Sequence, residues 1–181
     1  MPLAPPAPPP WFANQYPQPA DMNAHVRDDL TFLTKRTVFR AWQSTAAPQS
    51  IPNNAVTVLT LDTVIEDSYS GWTAGAGTNK YTAQEDGMYL IAVGYYSNAG
   101  NGAGHVANAF VIENGATTTA GQQEDISTTT NWGTVCVLPV YLRAGTDYVQ
   151  PAAAQTSGAA LNTVSVNVAQ ASYMEIVWIS R

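Results

Sequence analysis

This sequence is short of charge: only 11% of its 181 residues are Asp, Glu, Lys or Arg, against about 25% in an average globular domain. Its surface must be built from Thr, Ser, Asn, Gln, Gly and Ala, which suits contacts at which buried charge would be costly. Cys136 is the one cysteine, so no intrachain disulfide can form and a Cys-rich metal site is excluded. Its setting, Val135-Cys136-Val137-Leu138, reads as that of a small buried hydrophobe. A Ser-His-Asp or Cys-His arrangement would have to use His25 or His105, and nothing in the sequence places Cys136 or a serine beside either. Gly-x-Ser-x-Gly, His-Glu-x-x-His and a phosphate-binding glycine loop are absent. The expectation is a protein that is not an enzyme and that carries no cofactor and no metal. No run approaches the ~20 apolar residues that span a bilayer, and the N-terminus lacks a basic region followed by an apolar one. Neither membrane insertion nor a secretory signal is therefore expected.

What charge there is lies unevenly. Residues 1–45 set Arg27, Lys35, Arg36 and Arg40 against Asp21, Asp28 and Asp29, a balance of +1, which leaves −7 on the rest of a chain whose net charge is −6. An acidic body repels phosphate backbones, so nucleic acid is not an expected partner.

Three zones follow one another. Residues 1–20 hold eight prolines and the aromatics Trp11, Phe12 and Tyr16. Proline runs remove amide donors and favour an extended polyproline conformation. Such a tract is either a free tail or an anchoring arm, and in an arm the three aromatics are the natural anchors. In residues 21–36, Met22, Val26, Leu30 and Leu33 recur at spacings of four, four and three, one apolar stripe of a short helix. Asp21 is placed to cap it, and Lys35 and Arg36 favour its C-terminal end. From residue 37 onward the pattern is β. Strands are predicted at Thr37–Trp42, Ala55–Glu66, Met88–Ser97, Val106–Glu113, Trp132–Leu142, Tyr148–Ala153, Thr163–Ala169 and Tyr173–Ile179, with a tight hairpin turn at Asn114-Gly115. The domain boundaries expected are 1–20 for the arm, 21–40 for helix and linker, and 41–181 for an all-β jelly-roll sandwich.

Residues 56–179 resemble the complement/tumour-necrosis-factor jelly-roll superfamily, whose members form compact trimers of ten-stranded sandwiches. Three stretches carry the resemblance. Tyr81-Thr82-Ala83-Gln84-Glu85-Asp86-Gly87-Met88-Tyr89 is similar to the aromatic, spacer, Gly-x-Tyr signature that enters a central strand. Leu142-Arg143-Ala144-Gly145-Thr146-Asp147 resembles a Leu-x-x-Gly-Asp turn with one residue inserted. Ser172-Tyr173-Met174-Glu175-Ile176-Val177-Trp178-Ile179 resembles the last strand. Gln84 stands where proline is usual and Glu175 where glycine is, so Glu175 is expected to face solvent or a neighbouring chain, because a buried carboxylate needs a partner. The resemblance implies the fold and a homotrimer, and no ligand. A second resemblance lies in Met22-Asn23-Ala24-His25-Val26-Arg27-Asp28-Asp29-Leu30-Thr31-Phe32-Leu33, which is similar to a segment near the start of many actinobacteriophage minor tail and fibre-like proteins. It implies a virion protein attached to other virion proteins through residues 1–36.

The remaining candidates are aromatic or acidic. Tyr69, Trp72 and Trp132 occur near loops among Asn, Thr and Gly, a setting for contact with a host cell-surface glycan. Tyr89, Tyr95, Tyr173 and Trp178 have strand positions that fit either a trimer interface or the sandwich core. Glu66-Asp67, Glu85-Asp86 and Glu124-Asp125 read as solvated turn residues; Asp147 with Glu124 and Asp125 would hold calcium only if their loops converged. The function expected is a trimeric minor tail or tail-fibre component that contributes to host contact. The alternatives are a capsid decoration protein with the same trimer and, of another class, a soluble glycan-binding module.

Overall fold

The computed structural model describes residues 23, 26, 27, 30, 37–44, 48–75, 78–97, 105–125, 132–164 and 171–180, with the backbone alone at 37, 105, 117–125 and 132. Thirteen strands follow in chain order: β1 (Thr37–Trp42), β2 (Ser50–Ile51), β3 (Thr57–Val58), β4 (Thr63–Asp67), β5 (Trp72–Thr73), β6 (Lys80–Thr82), β7 (Gly87–Ser97), β8 (His105–Glu113), β9 (Ala116–Asp125), β10 (Trp132–Leu142), β11 (Tyr148–Gln155), β12 (Leu161–Asn162) and β13 (Tyr173–Ser180). Ten of them form two antiparallel ladders, β10-β7-β13-β1-β4 and β5-β6-β11-β8-β9, while β3 adds to β11 and β12 pairs with β2. This is the all-β jelly-roll sandwich the sequence implies. The first and last strands pair side by side, Arg40 opposite Glu175 and Trp42 opposite Tyr173, so the sheet draws in residues 37–40 as well as the stretch from 41.

The core lies between the ladders. Alternation along β7 sends Tyr89, Ile91, Val93 and Tyr95 inward, and β13 does the same with Met174, Ile176 and Trp178. At one end Trp178 stacks on Tyr89 and meets Tyr69 edge-on, with centroids 6.3 Å apart in both pairs. Phe39 stacks on Trp72 at 4.5 Å and packs against Tyr81 at 5.4 Å. Cys136 is buried among them, as its apolar setting led one to expect.

The three stretches that carry the jelly-roll resemblance meet in space. Gly87 pairs with Leu142, and a Cβ at Gly87 would collide with the Ser180 carbonyl and the Trp178 indole. Ala83 donates its amide to the Asp147 carbonyl at 3.0 Å and accepts from the Gly145 amide at 2.7 Å. Asp86 accepts from the Ala144 amide at 2.7 Å. Asn114 and Gly115, with φ of 50° and 82°, make the mirror-image turn that matches strand twist in a two-residue hairpin.

Loops are tied down by uncharged amides. Buried Gln155 donates to the carbonyls of Ile51 and Ala159 and accepts from the Ser157 amide. Asn79, also buried, donates to the Leu59 carbonyl and accepts from the Gly75 amide. Amide side chains meet the hydrogen-bonding demand of buried backbone without the cost of dehydrating an ion. That is one reason so few charges suffice.

The long strand expected at Ala55–Glu66 is divided into β3 and β4. β9 was not expected, because ATTTAGQQED has no apolar alternation; it lies at a sheet edge, pairing only with β8 in its ladder. Of the strand expected at Thr163–Ala169, Thr163 bridges to Ser97 and residues 165–170 lie outside the described residues. Residues 23, 26, 27 and 30 are helical, while the arm with Trp11, Phe12 and Tyr16, and Met22 and Leu33 of the stripe, lie outside the described residues.

Candidate assembly face

The ladder β10-β7-β13-β1-β4 is apolar on both sides. Its inward positions make half the core. Its outward positions should be polar if water covered them, yet β10 presents Val135, Val137, Pro139 and Tyr141, and β7 presents Met88, Leu90, Ala92 and Tyr96. Register aligns these into rows: Val137 beside Ala92 beside Glu175, and Pro139 beside Leu90 beside Val177. Val137 is 56% exposed and Tyr141 53%, and Val64, Ile65, Leu90, Val135 and Ile179 are also exposed large apolar side chains of this sheet. The apolar part lies on β10, β7 and β13, and three strands about 4.8 Å apart and seven residues long cover on the order of 300 Å². A contiguous apolar patch of that size is often a functional surface.

A single charged row interrupts the face. Arg40 on β1 stands opposite Glu175 on β13 and opposite Glu66 on β4. Around it Arg40, Ala41, Trp42, Ile65, Tyr96, Tyr173 and Glu175 line a hollow of about 310 Å³. Glu175, half-buried, faces outward as its chemistry requires. Burial raises the Tyr173 hydroxyl above its ordinary pKa; Tyr96 and Glu175 push it the same way and Arg40 opposes them.

At the end of the sandwich the turn after β10 is held by Asp147. Its buried carboxylate accepts from Arg143 Nε at 2.9 Å, Arg143 Nη2 at 3.0 Å, the Arg143 amide at 2.9 Å and Asn114 Nδ2 at 3.0 Å. These bonds, the Arg143 side chain first, hold its pKa well below the usual carboxylate range. Asp147 therefore fixes a turn. It stands beside the β8–β9 hairpin at Asn114, whereas Asp125 pairs with His105 at the other end of those strands. Eight residues of strand separate the two ends, about 26 Å, so the loops that would have joined Asp147 to Glu124 and Asp125 do not converge. Among the described residues no group of three His, Cys, Asp or Glu side chains could hold a metal ion. Asp67, of another acidic pair, accepts from the amides of Gly71 and Trp72 and shapes the loop into β5.

The aromatic candidates separate cleanly. Tyr89, Tyr95 and Trp178 are buried inside the sandwich, out of reach of another chain, because their strand positions point inward. Burial pushes the Tyr89 hydroxyl up to about 12 although it donates to the Glu85 carbonyl at 2.7 Å. Tyr173 alone of the four lies on the outward face. Tyr69 is 4% exposed and packed on Trp178, so it is a core ring and no loop platform for a sugar. Trp72 is half-buried with one face on Phe39. Trp132 begins β10, and its side chain lies outside the description.

Arg40, Leu90, Val135, Val137 and Tyr141 were not singled out from the sequence as parts of a face, and Glu66 was read as a solvated turn residue. A signal was present: Met88–Tyr96 and Val135–Leu142 are apolar at nearly every position, the pattern of a sheet covered on both faces.

No family model matches the chain, and no curated protein matches it. Solved structures do. Eiger TNF from S. frugiperda aligns over 81% of this chain and 94% of its own at a TM-score of 0.55 and 11% identity. Murine APRIL at pH 5.0 aligns over 80% of this chain and 100% of its own at 0.55 and 12%. The PRD1 vertex protein P5 aligns over 80% of this chain and 98% of its own at 0.51 and 18%. The fold is thus a TNF/complement-type jelly roll, as the three sequence stretches imply.

Proposed function

We propose that this chain is a non-enzymatic structural protein of a phage particle, a trimeric minor tail or tail-fibre component that contributes to host-surface contact. Its arm and helix, residues 1–36, attach it to other virion proteins. The observation that carries the reading is the apolar outward face of the β10-β7-β13-β1-β4 sheet, which a lone chain leaves in water. A second copy of the chain is the occupant proposed for it. The superfamily that residues 56–179 resemble builds trimers, and a closed three-membered ring buries two different surfaces on every copy. The resemblance of residues 22–33 to actinobacteriophage tail proteins supports the particle, and Val26 and Leu30 of that helix are each 56% exposed. A solved structure of the same fold is the phage PRD1 vertex protein P5. That likeness also favours a second reading, a capsid decoration protein in which the same trimer sits on the shell.

Cryo-electron microscopy of the intact particle tests the proposal. Trimers at the tail, with residues 1–36 in density against tail proteins, are the expected result. Trimers on the capsid would select the second reading, and absence from purified particles would overturn both.

A further inference from the structure

We propose that assembly through the outward face of the β10-β7-β13-β1-β4 sheet takes up protons, because the row Glu66, Arg40, Glu175 sets two carboxylates against one guanidinium within an apolar surface. The inference rests on the reading that copies of this chain bury that face.

Closing a second copy over the row removes water from three charges at once. Arg40 can neutralise one carboxylate. The other is left without a counter-charge, and a desolvated carboxylate in that position binds a proton more readily than it does in water. Among the described residues, the groups near the row do not supply the missing charge. Tyr173 and Tyr96 face Glu175 from its own strand and from β7, and Tyr141 lies further along on β10. These are phenols, which supply no positive charge. Across β7 the neighbour of Glu175 is Ala92, and beyond it on β10 comes Val137. Asp67, next on β4, is occupied with the amides of Gly71 and Trp72, and Glu66 also accepts from the Ser68 hydroxyl at 2.8 Å. Among the described residues, Lys80 sits over the Tyr148 ring at 4.8 Å and Arg143 is bound to Asp147. A proton is the remaining balance. Association therefore tightens as pH falls toward the carboxylate range, by up to about tenfold per pH unit at each interface.

The test is sedimentation equilibrium of the full chain between pH 8 and pH 5, with Glu175→Gln, Glu66→Gln and, as a control of equal charge away from the face, Glu113→Gln. Expected is a wild-type association constant that rises steadily on acidification. Glu175→Gln or Glu66→Gln should bind more tightly at pH 8 and lose most of the slope, while Glu113→Gln keeps it. A flat wild-type profile overturns the proposal while leaving the assembly reading intact. So does a slope shared by all three variants, or one that Glu113→Gln flattens as much as the face variants do. A wild-type chain that stays monomeric at every pH overturns both the proton linkage and the face on which it rests.

Discussion

The two sheets of this sandwich share one core and present opposite exteriors. On β11, β8 and β6 the outward positions include Gln150, Asn108, Thr82 and Lys80, with Gln150 donating to the Asn79 carbonyl and Lys80 over Tyr148. Their larger apolar members, Phe110 half-buried and Ile112 buried, are covered by the chain itself. On β10, β7 and β13 the outward positions are mostly Val, Leu, Tyr, Ala, Met, Pro and Ile, with Glu175 among them, and several are about half exposed. Both sheets are antiparallel and both send residues into the one core, so folding alone does not require the difference. A face left apolar after the core is complete is the one that the proposed assembly would cover.

Mutations can break or sharpen this contrast. Trp178→Ala, on the inner side shared by both sheets, removes the ring that holds Tyr89 and Tyr69. It should cost about 4 kcal/mol of unfolding free energy in a denaturant titration. Val137→Glu puts an unpaired charge into the proposed contact and should weaken association at least ~100-fold, about 3 kcal/mol, with the unfolding midpoint of the monomer little changed. Asn108→Asp on the opposite exterior should leave association as it is and move stability by no more than about 0.5 kcal/mol; a large effect there would erase the contrast. Asp147→Asn removes the ionised acceptor that fixes its turn, so its cost is present at neutral pH and shrinks in acid. Because the folded carboxyl is depressed by Arg143, its contribution is fully present above the unfolded value of ~3.9 and is lost as pH falls through the lower folded value. Thermal melts from pH 5 to pH 2 should therefore fall less steeply in the variant than in the wild type.

The fold was largely legible because its strands carry their own patterns. Thr37–Trp42 and Trp132–Leu142 appear where alternation and β-branched residues put them, and the Asn114-Gly115 turn follows from two residues that tolerate positive φ. β9 was illegible because a polar edge strand has no buried stripe to announce it. The candidate face was read less well, for a different reason. Aromatic residues drew attention by type, but whether Tyr89 or Tyr173 points outward depends on register, and a shift of one residue exchanges the faces. Tyr69 and Trp72 sit close to loops in sequence yet pack on Trp178 and Phe39, contacts between segments far apart in the chain. The row that sets Arg40 opposite Glu66 and Glu175 is invisible until β1 is known to lie between β4 and β13.

The most direct test of the account is the mass of the wild-type chain and of Val137→Glu by sedimentation equilibrium at pH 6. The account gives about 58 kDa, three chains of 19.3 kDa, for the wild type and 19.3 kDa for the variant. A wild type that stays at 19.3 kDa at all concentrations, or a variant that still sediments as three chains, would contradict it.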